Sequence, residues 1–242
     1  MKICVAQTRP VKCDIQSNID NHIKLIDLAI LNGADTIIFP ELSITGYEPE
    51  LAKQLATNQD DRRFTVFQQI SDTSQVTIGV GAPTKSDTDT CISTILFQPQ
   101  RARQTYSKKY LHADEEEYFC SGKSSTNFIG SKSNIALAIC YELSVPAHAE
   151  NAFRNGAEIY IVSAVKSVEG VDKAIERLSE IATKYSMIVL LSNCVGTSGG
   201  IKCGGKTSVW NKEGLLAAQL NDADEGIIII DTDTQEIIER TI

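Results

Sequence analysis

The chain has 242 residues, of which 42% are hydrophobic and 22% charged, enough apolar material for one large core over 1–242. Its formal net charge of -8 repels phosphate backbones and excludes the basic field on which nucleic-acid binding depends. Seven cysteines without CxxC spacing read as free thiols, and the brief apolar run of "MKICVAQTRP" is too short for a signal core or a membrane span, so a soluble, cytoplasmic protein with no membrane partner is expected.

In chain order, "KICVAQ" reads as a first strand. "SNIDNHIKLIDLAILNGAD" places Ile19, Ile23, Ile26 and Ile30 on one helical face, with Ser17 or Asn18 as N-cap and Asn32-Gly33 as the stop. "TIIFPE" is a second strand, ended by Pro40, which cannot donate a ladder hydrogen bond. "VTIGVGAP", "CISTILFQ" and "ARQTYSKKYL" follow as sheet strands, joined by turns such as "KSDTDT". The strands "IALAIC", "EIYIVSA" and "MIVLLSN" then alternate with the helices "PAHAENAFRNG" and "DKAIERLSEIATKYS". Their almost wholly apolar composition suits strands buried on both faces. "KTSVWNKEGLLAAQL" reads as a hairpin turning at 211–214, and "GIIIIDTD" as a last core strand. With no low-complexity linker or repeat, 1–242 reads as a single α/β domain.

Three strand ends carry reactive groups. Glu41 follows a buried strand and a proline; partial desolvation there raises a carboxyl pKa toward general-base work, although an isolated Glu is more often a solvated turn residue. Lys108 and Lys109 precede Asp114, Glu115, Glu116 and Glu117; a lysine among carboxylates stays protonated and can stabilise an oxyanion, the plain alternative being a charge-balanced loop. Cys140 ends "IALAIC" before a helix opened near Pro146, where a thiol can be exposed at a turn beside backbone N–H donors. Taken alone, the cysteine reads as inert core.

The ordered set changes that balance. "FPELSITGY", "YSKKYL" and "AICYELSVP", supported by "NGADTIIF", "NGAEIYIVSA", "NCVG" and "GGKTSVWNKEGLL", resemble the nitrilase superfamily, the carbon-nitrogen hydrolases, over nearly the whole chain. The resemblance implies a four-layer α-β-β-α sandwich and a non-peptide amide hydrolase of the amidase-like branch, working through a thioester. It implies Glu41 as general base, Lys108 rather than Lys109 as oxyanion partner, Cys140 as nucleophile and the backbone of Tyr141 as a second oxyanion donor. A second glutamate falls best on Glu115, with Glu116 the alternative. The implied partners are a small-molecule amide and further copies of the chain in a homodimer or larger assembly, without a cofactor.

Departures from the family pattern bear on substrate. Glu142 and Ser144 stand where many members have Asp and Arg, and Val165 and Lys166 where a tryptophan is common; the chain is also short for the family and is expected to lack the longer C-terminal tail of many members. Lys166 reads as solvated, with contact to a substrate carboxylate as the alternative. N-carbamoyl substrates, nitriles and acyl transfer to an amine would use the same residues. A Cys-His hydrolase fits poorly: His148 is expected at an exposed helical position, and although His112 in the lysine loop is the better-placed partner, a papain-like fold does not fit the repeating β-helix-β pattern. A metal hydrolase lacks support, since His22, His112 and His148 have neither HxxxH nor HxH spacing. A family-like binding module is the non-enzyme alternative.

Overall fold

A computed structural model describes residues 1–86, 89–123, 128–129 and 134–242; the tip of the expected "KSDTDT" turn, 87–88, lies outside the described residues. The first half of the chain runs β1 (Lys2–Gln7), α1 (Ile15–Leu31), β2 (Thr36–Ile38), α2 (Ala52–Leu55), α3 (Thr65–Ser74), β3 (Thr77–Lys85), β4 (Thr90–Phe97) and β5 (Gln104–Ser107). The second half runs β6 (Phe128–Ile129), β7 (Ile135–Ile139), α4 (Pro146–Arg154), β8 (Ile159–Ser163), α5 (Val168–Tyr185), β9 (Ile188–Ser192), β10 (Thr197–Ser198) and β11 (Ile201–Lys202). It finishes with β12 (Ser208–Trp210), β13 (Leu216–Gln219), β14 (Gly226–Asp231) and β15 (Ile237–Thr241).

Among the described residues these strands form two large sheets, ordered β15-β14-β1-β2-β3-β4-β5 and β13-β12-β9-β8-β7-β6, with β10 and β11 paired in a separate ribbon. The central β1-β2-β3 and β7-β8-β9 pairings are parallel, as the intervening helices require.

Strand periodicity explains why the central strands are apolar throughout. In β1, Ile3 and Val5 face the other sheet while Cys4 and Ala6 face α1; in β7, Ile135, Leu137 and Ile139 face inward while Ala136 and Ala138 face α4 and α5. One core therefore lies between the sheets, and a second and third lie under the helices on either side. The result is the α-β-β-α sandwich, with α1 and α3 outside one sheet and α4 and α5 outside the other. Hydroxyls lock the sheets at the strand ends. Ser163 Oγ donates to Phe39 O (2.8 Å), and Ser192 Oγ to Ala6 O (2.7 Å) and Ile38 O (3.1 Å).

Two expectations need correction. The first helix starts at Ile15, capped by Asp14, whose carboxylate accepts from Ser17 N (3.0 Å) and Ser17 Oγ (2.8 Å). Asn18 is instead buried within the helix, where its amide accepts from Val11 N and donates to Val11 O and Ile44 O. His148 is not exposed but fully buried, held between the hydroxyls of Tyr106 (3.0 Å) and Tyr160 (2.7 Å).

Candidate active site

Each of the three reactive groups sits just beyond a strand, and local backbone chemistry places it. After β2, Pro40 ends the ladder and Glu41 turns back over β3, with Leu42 at a φ of 49°. Gly81 makes this close approach feasible, since a Cβ there would lie 2.3 Å from Pro40 O and 2.4 Å from Leu42 N. A hydrogen-bond relay supports the turn from behind. Gly81 N–H donates to Ser43 Oγ (3.3 Å), which lies 2.9 Å from His22 Nε2, while His22 Nδ1 is 2.6 Å from Asn18 O. Burial holds His22 neutral, with its pKa lowered to about 4.

Lys108 follows β5, its N–H bonded to Ile92 O (2.8 Å) and its carbonyl accepting from Gly122 N (2.7 Å) where the loop returns. A side chain at Gly122 would strike Ser107 O, 2.1 Å from an added Cβ. Cys140 follows β7 and opens a one-turn helix, Cys140–Ser144, with φ at 47°. That left-handed conformation costs a non-glycine residue about 1–2 kcal/mol, so the surroundings must hold it.

What holds it is Glu142. This fully buried carboxylate accepts from Ile139 N (2.8 Å), Tyr106 Oη (2.6 Å) and Lys109 N (2.8 Å), joining the cysteine turn to the lysine loop. Burial raises its pKa despite these donors. Glu142 therefore lies beneath the cysteine as a bracket and does not line a pocket, whereas Ser144 is exposed.

The structure brings Glu41, Lys108, Glu115 and Cys140 together. Lys108 Nζ donates to Glu41 Oε1 (2.9 Å) and Glu115 Oε1 (2.7 Å), and the three side chains are 0%, 0% and 2% exposed, so water does not screen these ion pairs. Glu41 Oε2 accepts from Val165 N (3.1 Å), and Val165 O lies 4.0 Å from the half-buried Cys140 Sγ. Glu115 is fixed by Tyr47 Oη (3.1 Å) and His112 N (2.8 Å). Glu116 and His112 are exposed and outside the cluster; Lys109 directs its ammonium over the Tyr110 ring. Tyr141 follows Cys140 in the same turn, its ring edge against His112. First-turn N–H groups of this kind lack intrahelical partners.

The electrostatics follow from burial opposed by charge. Desolvation raises the Glu41 pKa, with Lys108 pulling it down, Glu115 raising it and a hydrogen bond with Cys140 lowering it. Burial alone lowers the Lys108 pKa, but Glu41, Cys140 and Glu115 together raise it, so the ammonium persists. Burial, then Glu41, raises the Cys140 thiol, while Lys166 and Lys108 lower it. A neutral thiol thus faces a carboxylate whose proton affinity is raised, beside a permanent cation. Such a set can transfer the thiol proton and stabilise negative charge at an adjacent carbonyl.

Sequence reading did not single out Tyr47, and it marked Val165 only as a departure at the family's tryptophan position. Tyr47 lies in the same "FPELSITGY" stretch as Glu41, and the buried turn through Gly46 was the available signal. Val165 contributes through its backbone, which no side-chain pattern reveals. Lys166 is half-buried, its N–H held by Asn193 Oδ1 (2.8 Å), and it acts on Cys140 through its charge. Tyr47 also borders a cleft of about 480 Å³, lined in addition by Glu48, Leu51, Asp114, Tyr118 and Gly199.

The carbon-nitrogen hydrolase family matches residues 2–241. A glutamine-dependent NAD(+) synthetase of Thermotoga maritima is 24% identical over 98% of this chain, which spans only 42% of that protein. A hydrolase in the agr operon of Staphylococcus aureus is 22% identical over 99% of this chain and 94% of its own length. Among solved structures, a mutant amidase from Nesterenkonia sp. AN1 in complex with butyramide superposes with a TM-score of 0.87 at 20% identity, covering 97% of this chain and 92% of that one. Another mutant of that amidase carries the acetamide moiety of fluoroacetamide on its active-site cysteine and superposes at 0.86, with 20% identity, over 96% of this chain and 90% of that one. At such identities the structures establish the shared fold. The family match across nearly the entire sequence shows that this chain belongs to the carbon-nitrogen hydrolase family.

Proposed function

We propose that the chain hydrolyses a small linear amide through a thioester on Cys140. The carrying observation is the meeting of a buried carboxylate, a buried ammonium and a thiol at Glu41, Lys108 and Cys140. Glu41 takes the thiol proton as Sγ attacks the amide carbonyl, and the oxyanion is stabilised by Lys108 Nζ and the N–H of Tyr141. Collapse breaks the carbon–nitrogen bond while Glu41 returns the proton to the leaving nitrogen, releasing ammonia or an amine. Glu41 then accepts a proton from water, whose oxygen attacks the thioester; the carboxylic acid leaves and the thiol recovers its proton. Glu115 keeps Lys108 aimed, and Tyr47 keeps Glu115 in place.

A second reading, hydrolysis of the glutamine side-chain amide, is supported by the likeness to glutamine-dependent NAD(+) synthetases. Ammonia release from a panel of short aliphatic amides, glutamine and other ω-amides, carbamoyl amino acids and nitriles tests both. Turnover of the simple amides, lost in Cys140→Ala together with thiol labelling at that position, is the expected result. Turnover of glutamine alone supports the second reading, and no release from any substrate overturns the hydrolase.

A further inference from the structure

Away from the cluster, two other thiols meet. Cys91, in β4 and 5% exposed, and half-buried Cys120 place their sulfurs 2.8 Å apart. The backbone already holds them together, with Cys120 N–H donating to Thr90 O (2.8 Å), and Ser86 Oγ lies 3.3 Å from Cys120 Sγ. A disulfide has a sulfur–sulfur length of about 2.0 Å, so closing this pair needs less than about 1 Å of movement. Cys120 also lies on the loop that leaves β5 with Lys108, carries Glu115 and returns at Gly122.

We propose that Cys91 and Cys120 are a redox-active pair that hydrogen peroxide closes into a reversible disulfide, stapling the loop of Lys108 and Glu115 to β4. Burial and the adjacent Cys120 thiol push Cys91 up to about 12, which leaves the more accessible Cys120 as the thiol that meets the oxidant. Its thiolate attacks one peroxide oxygen and breaks the O–O bond, giving a sulfenic acid and hydroxide. The Cys91 sulfur then attacks the sulfenic sulfur, forming the S–S bond. The hydroxyl leaves as water with the Cys91 proton. Two thiols lose two electrons in all, and one peroxide becomes two waters. The staple spans a sequence separation of 29 residues and restrains the loop in the unfolded chain as well.

The experiment is peroxide treatment of the full chain at a few-fold molar excess, followed by N-ethylmaleimide and tryptic digestion without reduction. Cleavage after Lys85, Arg101, Lys109 and Lys123 leaves Cys91 and Cys120 as the single cysteines of peptides 86–101 and 110–123. The expected product is these two peptides joined, two hydrogens lighter than their sum and separated by dithiothreitol, with Tm raised by about 5 °C or more. In Cys91→Ser the link and the rise in Tm vanish and Cys120 proceeds to sulfinic acid. Should that buried substitution unfold the protein, Cys120→Ser removes the link and the rise in Tm equally. Recovery of both thiols as maleimide adducts, of Cys120 as sulfinic acid in the unmutated protein, or of links to other cysteines overturns the proposal. These readouts do not use turnover, so they stand or fall independently of the amide reaction.

Discussion

Two carboxylates flank Cys140, both buried and both with raised pKa values, yet their surroundings differ in kind. Glu142 is surrounded by N–H and O–H donors from three neighbouring segments and, among the described residues, meets no ammonium at hydrogen-bond distance. Glu41 has one backbone donor, one lysine and a thiol. Burial and a shifted pKa therefore do not mark a reactive carboxylate. What separates the two is the company each keeps, donors that saturate Glu142 against a lysine and a thiol beside Glu41. The saturated carboxylate fixes the shape of the turn, and the less saturated one remains free to change protonation state.

The sharpest way to break this contrast is a pair of variants. Glu41→Gln should lower kcat/KM by about 10²–10⁴-fold on whichever amide the panel identifies, while the unfolding midpoint moves little. Glu142→Gln turns an amide N–H₂ toward groups that are already donors. It should cost about 2–4 kcal/mol in denaturant unfolding and lower Tm by about 4–16 °C. Equal losses of stability in both variants would erase the distinction. The same contrast predicts the pH profile. In the proposed reaction Glu41 must be ionised to accept the thiol proton, and its pKa is raised, so the acid limb of kcat/KM should lie above the ordinary glutamate range. The limb belongs to the coupled cluster rather than to Glu41 alone.

His22 extends the comparison behind the Glu41 turn. Its folded pKa of about 4 lies below the ordinary 6.5, so the folded state binds fewer protons between these values and stability falls as pH drops from about 6.5 toward 4. Full protonation should cost about 3 kcal/mol, and His22→Gln should flatten that part of the stability curve in urea titrations. The smallest effect expected is at Lys166. Replacing it with Met removes a charge that lowers the Cys140 pKa, so the pH profile for alkylation by iodoacetamide should move toward alkali. An unchanged profile would show that the lysine does not act on the thiol.

The strand ends were legible in sequence because buried parallel strands are apolar on both faces, so a Glu, Lys or Cys at their termini stands out. The burial of Glu115 while Glu116 stays exposed matches the spacing before the aromatic pair in "DEEEYFCSG". Other features left weaker signals. Asp14 was passed over because Ser17 and Asn18 are equally good capping types, and only tertiary contacts draw Asn18 inward. His148 was misplaced because a polar residue on a short helix resembles a surface position, while its two tyrosine partners lie 42 and 12 residues away. Strand β15 went unread because it is an edge strand whose Glu239, Arg240 and Thr241 are exposed. The ten-residue α3 buries only Phe67 and Ser71, too few positions for a clear helical period.

The serine hydroxyls that join the sheets have a further consequence. Glu41 and Lys108 extend from one sheet, and Cys140 and Val165 from the other. Neither sheet contains a complete set of reactive groups, so amide turnover would report the docking of two separately paired halves. A denaturant or a Ser163→Ala, Ser192→Ala double substitution that loosens their contact should silence the enzyme while each ladder of hydrogen bonds is still intact.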